Sequence, residues 1–308
     1  MIDKIKYYIA DKTDPYTNLA IEKYLFDTLE ENSYILYLWQ NDNTVVIGKN
    51  QNPWAECRCS LLEEEGGHIA RRLSGGGAVY HDLGNLNFTF IASGKDMDTE
   101  TNNKVIMSAC NMAGIACELS GRNDILAEGR KFSGNAFFNS KGRSYHHGTL
   151  LISSDTEKLQ RYLTPSASKL EAKGVKSVKS RVINLSELSK NLTTDDMARY
   201  MIKSFEATFG KKTEKIPDIP ADKIQADTEK YRSWEYIYGS TFPFSVSVDE
   251  TLPEGNVNIL IRVENGIITA TKTYTDSLDT SLPDKIDKAL TGRRFGMCSE
   301  LNIQGWLT

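Results

Sequence analysis

The chain has 308 residues, 40% of them hydrophobic and 25% charged, with a formal net charge of −4 at pH 7, which is typical of a globular protein. The acidic balance argues against nucleic acid as a partner. The apolar runs are too short to cross a bilayer, and Met1–Lys6 has no signal-peptide character, so no membrane partner is expected.

The first half of the chain alternates between helical and strand patterns. Apolar residues at helical spacing predict an amphipathic helix over 17–31. The other predicted elements are strands at 33–39 and 44–47, an acidic helix at 60–66, a strand at 87–92, a helix at 104–113 and a strand at 115–119.

The second half contains two predicted hairpins. The first covers 124–138 and turns at Glu128-Gly129-Arg130, and the second joins strands 257–263 and 267–274 at Glu264-Asn265-Gly266. Between them we expect a strand at 149–152, helices at 186–189 and 194–209, and a proline-containing connector at 210–232. With a final helix at about 281–290, the pattern predicts an α+β protein with a large domain at 1–245 and a small α+β domain at 246–308.

Residues Arg71 to Asp82, with the sequence RRLSGGGAVYHD, form the first polar motif. Three consecutive glycines lack a Cβ, so their backbone N–H groups can approach a ligand closely. Two arginines precede them, and His81 and Asp82 follow. A tight turn would explain the glycines but not these flanking residues. The motif therefore predicts an anion site for a phosphate or an activated carboxylate.

A second motif contains Asp124 and Lys131. A lysine can contact a phosphate and a carboxylate oxygen together, and a fixed cation favours the transition state of carboxylate adenylation. Asp124 could hold the magnesium ion that nucleotide phosphates need. A surface lysine in a hairpin beside an Asx-turn at Asn123-Asp124 is the alternative that the residues alone leave open.

Two further segments are ambiguous. Neighbouring strand residues point to opposite faces, so at most one of His146 and His147 faces a site, and the spacing disfavours zinc. The Ser- and Lys-rich segment 165–184 is either a solvated basic loop or a loop that closes over phosphates. The five irregularly spaced cysteines favour free thiols and a cytoplasmic location.

In these motifs the chain resembles the lipoate–protein ligase family, over about residues 15–240. The matching motifs are Arg71–Asp82, Gly121–Asp124, Arg130–Gly134, His146–Thr149, Gln51–Trp54, Ala172–Gly174, Ser177-Val178, Ser180–Val182 and Ser233–Glu235. The resemblance implies a catalytic domain with a central mixed sheet, as in biotin ligases, and a C-terminal accessory domain. It also implies that lipoate is activated with ATP to lipoyl-AMP and then transferred to a lysine of a lipoyl domain.

The resemblance also assigns residues. Lys131 would be catalytic, contacting the lipoyl carboxylate and the α-phosphate, and Asp124 would bind Mg²⁺. Lipoate would be bound by Arg72, Ser74, Gly75, Gly76, His81, Lys131 and His147. ATP would be bound by Arg72, Gly77, Ala78, Val79, Tyr80, Asn85, Asn123, Asp124, Lys131, Ala136, Thr149, Ser177 and Arg181. Segment 165–184 would bind the adenylate.

The implied cofactors are ATP and Mg²⁺, with lipoate as substrate. The implied partners are apo lipoyl domains of the acyltransferase subunits of 2-oxoacid dehydrogenases and the glycine cleavage carrier protein. The lipoyl tail needs an apolar channel, for which Leu19, Val45 and Val79 are candidates.

Two other functions are compatible with parts of this sequence. One is a transferase that moves lipoyl or octanoyl groups without ATP. Its cysteine-dependent form is disfavoured, because no cysteine lies beside the Lys131 or His147 motifs. A form that uses preformed lipoyl-AMP would keep the same binding residues. The other is a non-catalytic carrier, which the presence of Lys131 and Asp124 disfavours.

Overall fold

The computed structural model describes residues 2–120, 124–163, 182–238, 246–264 and 267–293. The strands are β1 (Lys4–Ile9), β2 (Ser33–Trp39), β3 (Thr44–Ile47), β4 (His68–Arg71), β5 (Val79–His81), β6 (Asn85–Ser93), β7 (Glu118–Ser120), β8 (Asp124–Ala127), β9 (Arg130–Ser140), β10 (Arg143–Leu151), β11 (Glu214–Lys215), β12 (Val246–Leu252), β13 (Gly255–Glu264) and β14 (Ile267–Thr275). The helices are α1 (Pro15–Asp27), α2 (Pro53–Glu56), α3 (Cys59–Glu64), α4 (Thr99–Met112), α5 (Thr156–Tyr162), α6 (Thr194–Phe209), α7 (Ala221–Arg232), α8 (Trp234–Ile237) and α9 (Leu282–Leu290), with a 3₁₀ turn at Leu185–Glu187.

A large mixed sheet organises the first part of the chain. Its described strands follow the order β11-β1-β2-β6-β10-β9-β8-β7, and β1 runs parallel to both of its neighbours while the other pairs are antiparallel. A second, small sheet has the order β4-β3-β5. The C-terminal antiparallel sheet β12-β13-β14 packs against α9. The predicted mixed α+β class is confirmed.

Strand β6 shows how the sheet divides the interior. Leu86, Phe88 and Phe90 point into a core that also contains side chains of α4 and α6. Asn87 and Thr89, which alternate with them, lie on the other face. That face is covered by α1 and by the sheet β4-β3-β5. On that face the sheet therefore presents polar side chains, and Asn87 among them lines the candidate active site.

Most predicted elements are confirmed, and two strands and one helix have the predicted bounds. Strands 33–39 and 44–47 are present as β2 and β3, although they belong to different sheets. Helix 194–209 begins after Thr193, whose hydroxyl accepts a hydrogen bond from the Asp196 N–H. The hairpin at 124–138 is β8–β9, and its turn residues Glu128 and Gly129 have φ of 49° and 70°.

The predicted connector at 210–232 was wrong, because this segment contains β11 and the helix α7. Pro220 is the residue immediately before the helix, a position at which proline does not interrupt helical hydrogen bonds. Ile224 and Tyr231, seven positions apart, form the buried side of α7. The strand β1 was not predicted.

The hairpin of the small domain is confirmed as β13–β14, and its turn residues 265–266 lie outside the described residues. The domain boundary at 245/246 stays a prediction, because residues 239–245 are also outside that set. Among the helices that the structure describes, none has the length and apolar character needed to cross a membrane.

Candidate active site

A cavity of about 290 Å³ lies where the glycine loop, β9, β10 and the small domain meet. The residues that line it are Leu19, Trp39, Val46, Arg72, Gly76, Gly77, Ala78, Val79, His81, Asn87, Asp124, Lys131, Gly134, Asn135, Ala136, His147, Gly148, Thr149, Asp276 and Leu278. The structure therefore brings together residues of the glycine motif, of the Asp124/Lys131 motif and of the segment that contains His147.

The hairpin β8–β9 places Lys131 beside Asp124. The Lys131 Nζ lies 2.8 Å from the Asp124 Oδ1, and both side chains are about 40% exposed. A Cβ at Gly134 would lie 2.9 Å from the Lys131 Nζ, so glycine leaves room for the ammonium group. The cavity wall thus contains a cation and a carboxylate in direct contact.

Arg72 holds the glycine loop in shape from within. Its side chain is buried and donates to the carbonyl oxygens of Val46, Gly75 and Gly77 and to the Ser74 Oγ, over 2.7–3.2 Å. Burial lowers the pKa of the Arg72 guanidinium to about 10. Arg72 also lines the cavity, so it combines this structural role with a position near any bound anion.

The glycine loop also contacts the small domain. The Gly76 N–H donates to the Ser277 carbonyl oxygen at 3.0 Å. A Cβ at Gly75 would lie only 2.3 Å from the same oxygen. Glycine is therefore required at 75 for contact with the small domain, in addition to the ligand access that the sequence predicted.

A buried chain of hydrogen bonds lies beneath the loop. The Ser74 Oγ lies 2.7 Å from the His147 Nε2, and the His147 Nδ1 lies 2.8 Å from the Glu22 Oε1. Thr89 donates to the same oxygen at 2.8 Å. Because the Arg72 Nε donates to Ser74, we assign the Ser74 hydroxyl proton to His147 and the His147 Nδ1–H to Glu22. The chain links a buried carboxylate to a buried guanidinium.

Glu22 was missed by the sequence reasoning, although a signal was present. It lies on α1 three residues after Leu19 and four before Phe26, so helical spacing places it among apolar side chains. A charged residue in a buried stripe needs a partner. Trp39, which donates to the Thr89 Oγ1 at 3.1 Å and lines the cavity, was also missed.

The two adjacent histidines point to opposite faces, as strand geometry predicted. His147 lines the cavity, whereas the His146 ring stacks on Phe137 in the core with ring centroids 4.5 Å apart. Burial lowers the pKa of both His146 and His81 to about 3, so both rings are neutral at neutral pH. His81 lines the cavity, and its Nε2 has no hydrogen-bond partner among the described atoms.

The remaining predicted residues divide into three groups. Gly76, Gly77, Ala78, Val79, Ala136 and Thr149 line the cavity, whereas Ser74, Gly75, Tyr80 and Asn85 do not. The Tyr80 hydroxyl donates to Asn43, and the Asn85 Nδ2 donates to Asn87. Asn123, Ser177, Arg181 and most of segment 165–184 lie outside the described residues.

The apolar part of the wall differs from the prediction at one position. Leu19 and Val79 line the cavity as predicted, but Val46 does so in place of Val45. Neighbouring residues of β3 face opposite sides of the strand, so only one of the two valines can reach the cavity.

Two family models match the chain. Residues 14–206 match the lipoyl protein ligase A/B catalytic domain, and residues 241–298 match the bacterial lipoate protein ligase C-terminus. Lipoate-protein ligase A of Bdellovibrio bacteriovorus is 41% identical over 305 residues, which cover 96% of this chain and 89% of the relative.

Solved structures of lipoate-protein ligases and of a lipoate-bound relative are similar to this chain. P. falciparum LipL1 in complex with lipoate has a TM-score of 0.82 at 29% identity, covering 98% of this chain and 97% of that one. A bi-partite lipoate protein ligase of Thermoplasma acidophilum, described together with its E2 lipoyl domain, has a TM-score of 0.67 at 25% identity, covering 79% of this chain and 99% of that one. Lipoate-protein ligase A bound with ATP has a TM-score of 0.65 at 25% identity, covering 78% and 99%. With the catalytic and C-terminal models both matched and the Lys131 site assembled, the chain belongs to the lipoate–protein ligase family.

Proposed function

We propose that this enzyme activates lipoate with ATP to form lipoyl-AMP, and then transfers the lipoyl group to a specific lysine of a lipoyl domain. The observation that carries the proposal is the Lys131–Asp124 pair in the cavity wall, 2.8 Å apart and opposite the glycine loop. The lipoate-bound and ATP-bound relatives support the choice of both substrates.

In the first half-reaction a carboxylate oxygen of lipoate attacks the α-phosphorus of ATP, and pyrophosphate leaves. Lys131 would contact the carboxylate and the α-phosphate and offset the charge that builds between them. Gly77, Ala78, Val79, Ala136 and Thr149 would line the nucleotide side, with Tyr80, Asn85, Asn123, Ser177 and Arg181 as further proposed contacts. Arg72, Ser74, Gly75, Gly76, His81 and His147 would surround the lipoate.

In the second half-reaction the neutral amine of the acceptor lysine attacks the lipoyl carbonyl carbon. The new amide bond forms as the bond to the phosphate oxygen breaks, AMP leaves, and the attacking nitrogen gives up one proton to water. Lys131 would contact the carbonyl oxygen and the leaving phosphate. One cation can therefore serve both half-reactions without moving far.

Magnesium fits the donor set at Asp124. The carboxylate is partly exposed at the cavity, and within the described residues no group of three His, Cys, Asp or Glu side chains forms a dedicated metal site. Mg²⁺ commonly uses one or two protein carboxylates and fills its other positions with water and phosphate oxygens. Asp124 would hold the ion, which would neutralise phosphate charge.

The proposed acceptors are apo lipoyl domains of 2-oxoacid dehydrogenase acyltransferase subunits and the glycine cleavage carrier protein. The Thermoplasma acidophilum ligase, which is described together with its E2 lipoyl domain, supports the first of these. We also propose a cytoplasmic location, supported by the free thiols of Cys57, Cys59, Cys110 and Cys117.

The second candidate is a transferase that does not activate its own substrate. A cysteine-dependent route has no support here, since none of the described cysteines lines the cavity. A lipoyl-AMP-dependent transferase would keep the same binding residues.

One assay separates these functions: purified protein with lipoate, ATP, Mg²⁺ and an apo lipoyl domain. The proposal expects lipoylated domain and lipoate-dependent exchange of pyrophosphate into ATP. Lipoylation that occurs only with preformed lipoyl-AMP or an acyl-carrier donor would reject it.

A further inference from the structure

The floor of the active-site cavity is a single row of residues that crosses the large sheet. Trp39 on β2 pairs with Asn87 on β6, and Asn87 pairs with Thr149 on β10. The Gly134 N–H on β9 donates to the Thr149 Oγ1 at 3.3 Å, and Gly134 pairs with Asp124 on β8. All five residues line the cavity, so the cavity extends across the sheet from Asp124 to Trp39.

The two ends of this row differ in chemistry. The Lys131 ammonium lies over Gly134, since a Cβ there would be 2.9 Å from the Lys131 Nζ. Trp39 lies on β2, which is three strands from β9 in the sheet order and therefore about 14 Å away. In the proposed function the lipoate carboxylate contacts Lys131. The acyl chain then extends along the row, and its disulfide-containing dithiolane ring lies towards Trp39.

His81 lies at the Trp39 end of the cavity. Its ring meets the Trp39 ring edge-on, with centroids 6.0 Å apart. His81 is 3% exposed and lines the cavity, yet its Nε2 has no hydrogen-bond partner among the described atoms. Among the same atoms, the Asn87 Nδ2 also lacks a partner. Because unpaired buried polar atoms are costly, this end of the cavity favours a ligand that brings a hydrogen-bond partner.

Two buried asparagines determine which His81 nitrogen carries the proton. The Asn18 Nδ2 donates to the carbonyl oxygens of Lys12 and Gln40, which defines the orientation of the Asn18 amide. The same Nδ2 donates to the Asn41 Oδ1 at 3.0 Å, so the Asn41 Nδ2 must donate to the His81 Nδ1 at 3.2 Å. Burial lowers the pKa of His81 to about 3. At neutral pH the ring is therefore neutral, with its proton on Nε2.

We propose that the His81 Nε2–H donates a hydrogen bond to a ring sulfur of bound lipoate, and that Asn41 is the positioning residue that keeps this proton on Nε2. The sulfurs are the acceptors that the acyl tail offers, although sulfur is a weak acceptor. The hydrogen bond favours lipoate over a fatty acid whose tail contains only carbon. This inference rests on the proposed function, because the contact with Lys131 determines the orientation of lipoate.

The cyclopentyl analogue of lipoate, in which a methylene group replaces each sulfur, isolates this contact because chain length and ring size are kept. We expect the wild-type kcat/KM for acid-dependent ATP–pyrophosphate exchange to be about tenfold higher with lipoate than with the analogue, which leaves a buried donor unpaired. His81→Phe keeps an aromatic ring but removes the donor, so it should bring the ratio close to one. His81→Leu serves the same purpose should His81→Phe not fold.

His146→Leu is the matched control. The Asn102 Nδ2 lies 3.2 Å from the His146 Nδ1, and the His146 Nε2 also lacks a partner among the described atoms. His146 nevertheless stacks on Phe137 in the core and does not line the cavity. The preference for lipoate should therefore be unchanged in this variant. Equal kcat/KM for the two acids in the wild type would overturn the inference, as would a wild-type preference in a folded variant of His81.

Nitrogen NMR of histidine-labelled protein tests the role of Asn41. The chain has four histidines, so the ring signals are few, and the His81 variant identifies those of His81. We expect an unprotonated His81 Nδ1 at neutral pH, and an Nε2–H proton that shifts more with lipoate than with the analogue. Asn41→Asp replaces the donor with an acceptor, so it should place a proton on Nδ1. A protonated Nδ1 in the wild type, or equal shifts with the two acids, would overturn the inference. An Nδ1 that stays unprotonated in Asn41→Asp would do the same.

Calorimetric binding of the two acids separates this inference from the proposed function. Absence of pyrophosphate exchange with either acid in the wild type would overturn the proposed function. The ratio of the two binding constants, and its loss in the His81 variant, would still report on the sulfur contact.

Discussion

The carbonyl oxygen of Ser277 accepts a hydrogen bond of 3.0 Å from the backbone N–H of Gly76, so the small domain contacts the glycine loop directly. Two further bonds support the contact: the Thr275 N–H donates to the Asn50 carbonyl oxygen at 2.9 Å, and the Asn50 Nδ2 donates to the Thr280 carbonyl oxygen at 3.1 Å. The loop that forms one wall of the cavity is therefore also a seat for the C-terminal domain.

Gly75→Ala should disrupt this contact. Its Cβ would lie 2.3 Å from the Ser277 oxygen and 3.0 Å from the Leu278 Cα, and both are backbone atoms that cannot rotate away. We expect faster hydrogen exchange at the Gly76 amide, which donates to Ser277, and a rate of ATP–pyrophosphate exchange lower by about tenfold or more. The reason is that the clash displaces Gly76 and Leu278, which line the cavity. Gly94→Ala is the control, because its Cβ would make only ordinary contacts at 3.4 Å. Equal behaviour of the two variants would contradict the prediction.

Lys131→Ala should remove adenylation and leave the fold intact. The ammonium is the cation placed beside Asp124, and loss of one preorganised transition-state contact typically costs about 100- to 1,000-fold in rate. Since the pair is partly exposed, its loss should change the free energy of unfolding by no more than about 1 kcal/mol. Pyrophosphate exchange and urea unfolding measure the two effects. Lys95→Ala, at an exposed lysine, is the control and should change neither the exchange rate nor the free energy of unfolding. Near-normal exchange in Lys131→Ala would remove Lys131 from the mechanism.

Local features were predictable from the sequence, because neighbouring residues determine them. The turn at Glu128-Gly129 and the cap at Thr193 each depend on a few consecutive side chains. The Ser74–His147–Glu22 chain was not predictable, because its members lie 73 and 125 residues apart and meet only when the sheet and α1 assemble. The same holds for the contact of Gly75 with the small domain. The sequence identified the glycines as a site of close ligand approach. The need for glycine at 75 to avoid the Ser277 carbonyl oxygen depends on the tertiary structure.

Asp124→Asn should raise the magnesium requirement. An amide is a weaker ligand for Mg²⁺ than a carboxylate, and the described residues offer no additional cluster of metal ligands near it. We expect the Mg²⁺ concentration for half-maximal exchange to rise by about tenfold or more, with partial recovery at high Mg²⁺, as for loss of one ligand. A variant with an unchanged Mg²⁺ dependence would assign Asp124 only to the ion pair with Lys131.

Glu22→Ala should strongly destabilise the protein. Glu22 is 2% exposed and accepts hydrogen bonds from His147 and Thr89, so its removal leaves both donors unpaired and the Arg72 charge uncompensated. Breaking such a buried network typically lowers the free energy of unfolding by about 3–5 kcal/mol. Glu22→Gln keeps an acceptor oxygen, so it should lower the free energy of unfolding by less than Glu22→Ala does. Urea unfolding measures both, with exposed Glu31→Ala as the control, and a cost for Glu22→Ala as small as that of the control would reject the network.

Two buried neutral histidines should make the fold sensitive to acid. Burial lowers the pKa of His81 and His146 from 6.5 to about 3, so between these values the unfolded chain binds protons that the folded chain does not. The free energy of unfolding therefore falls as the pH drops below about 6.5, by about 1.4 kcal/mol per pH unit for each histidine. His146→Leu removes one of them from a site that is packed by Phe88, Phe90 and Phe137. Urea unfolding at several pH values between 7 and 4 gives the free energy of unfolding as a function of pH. Its slope should be shallower for the variant than for the wild type by about 1.4 kcal/mol per pH unit. The carboxylates contribute equally to the pH dependence of both proteins, so they do not affect the difference between the two slopes. Equal slopes would contradict the prediction and would mean that His146 is protonated in the folded protein.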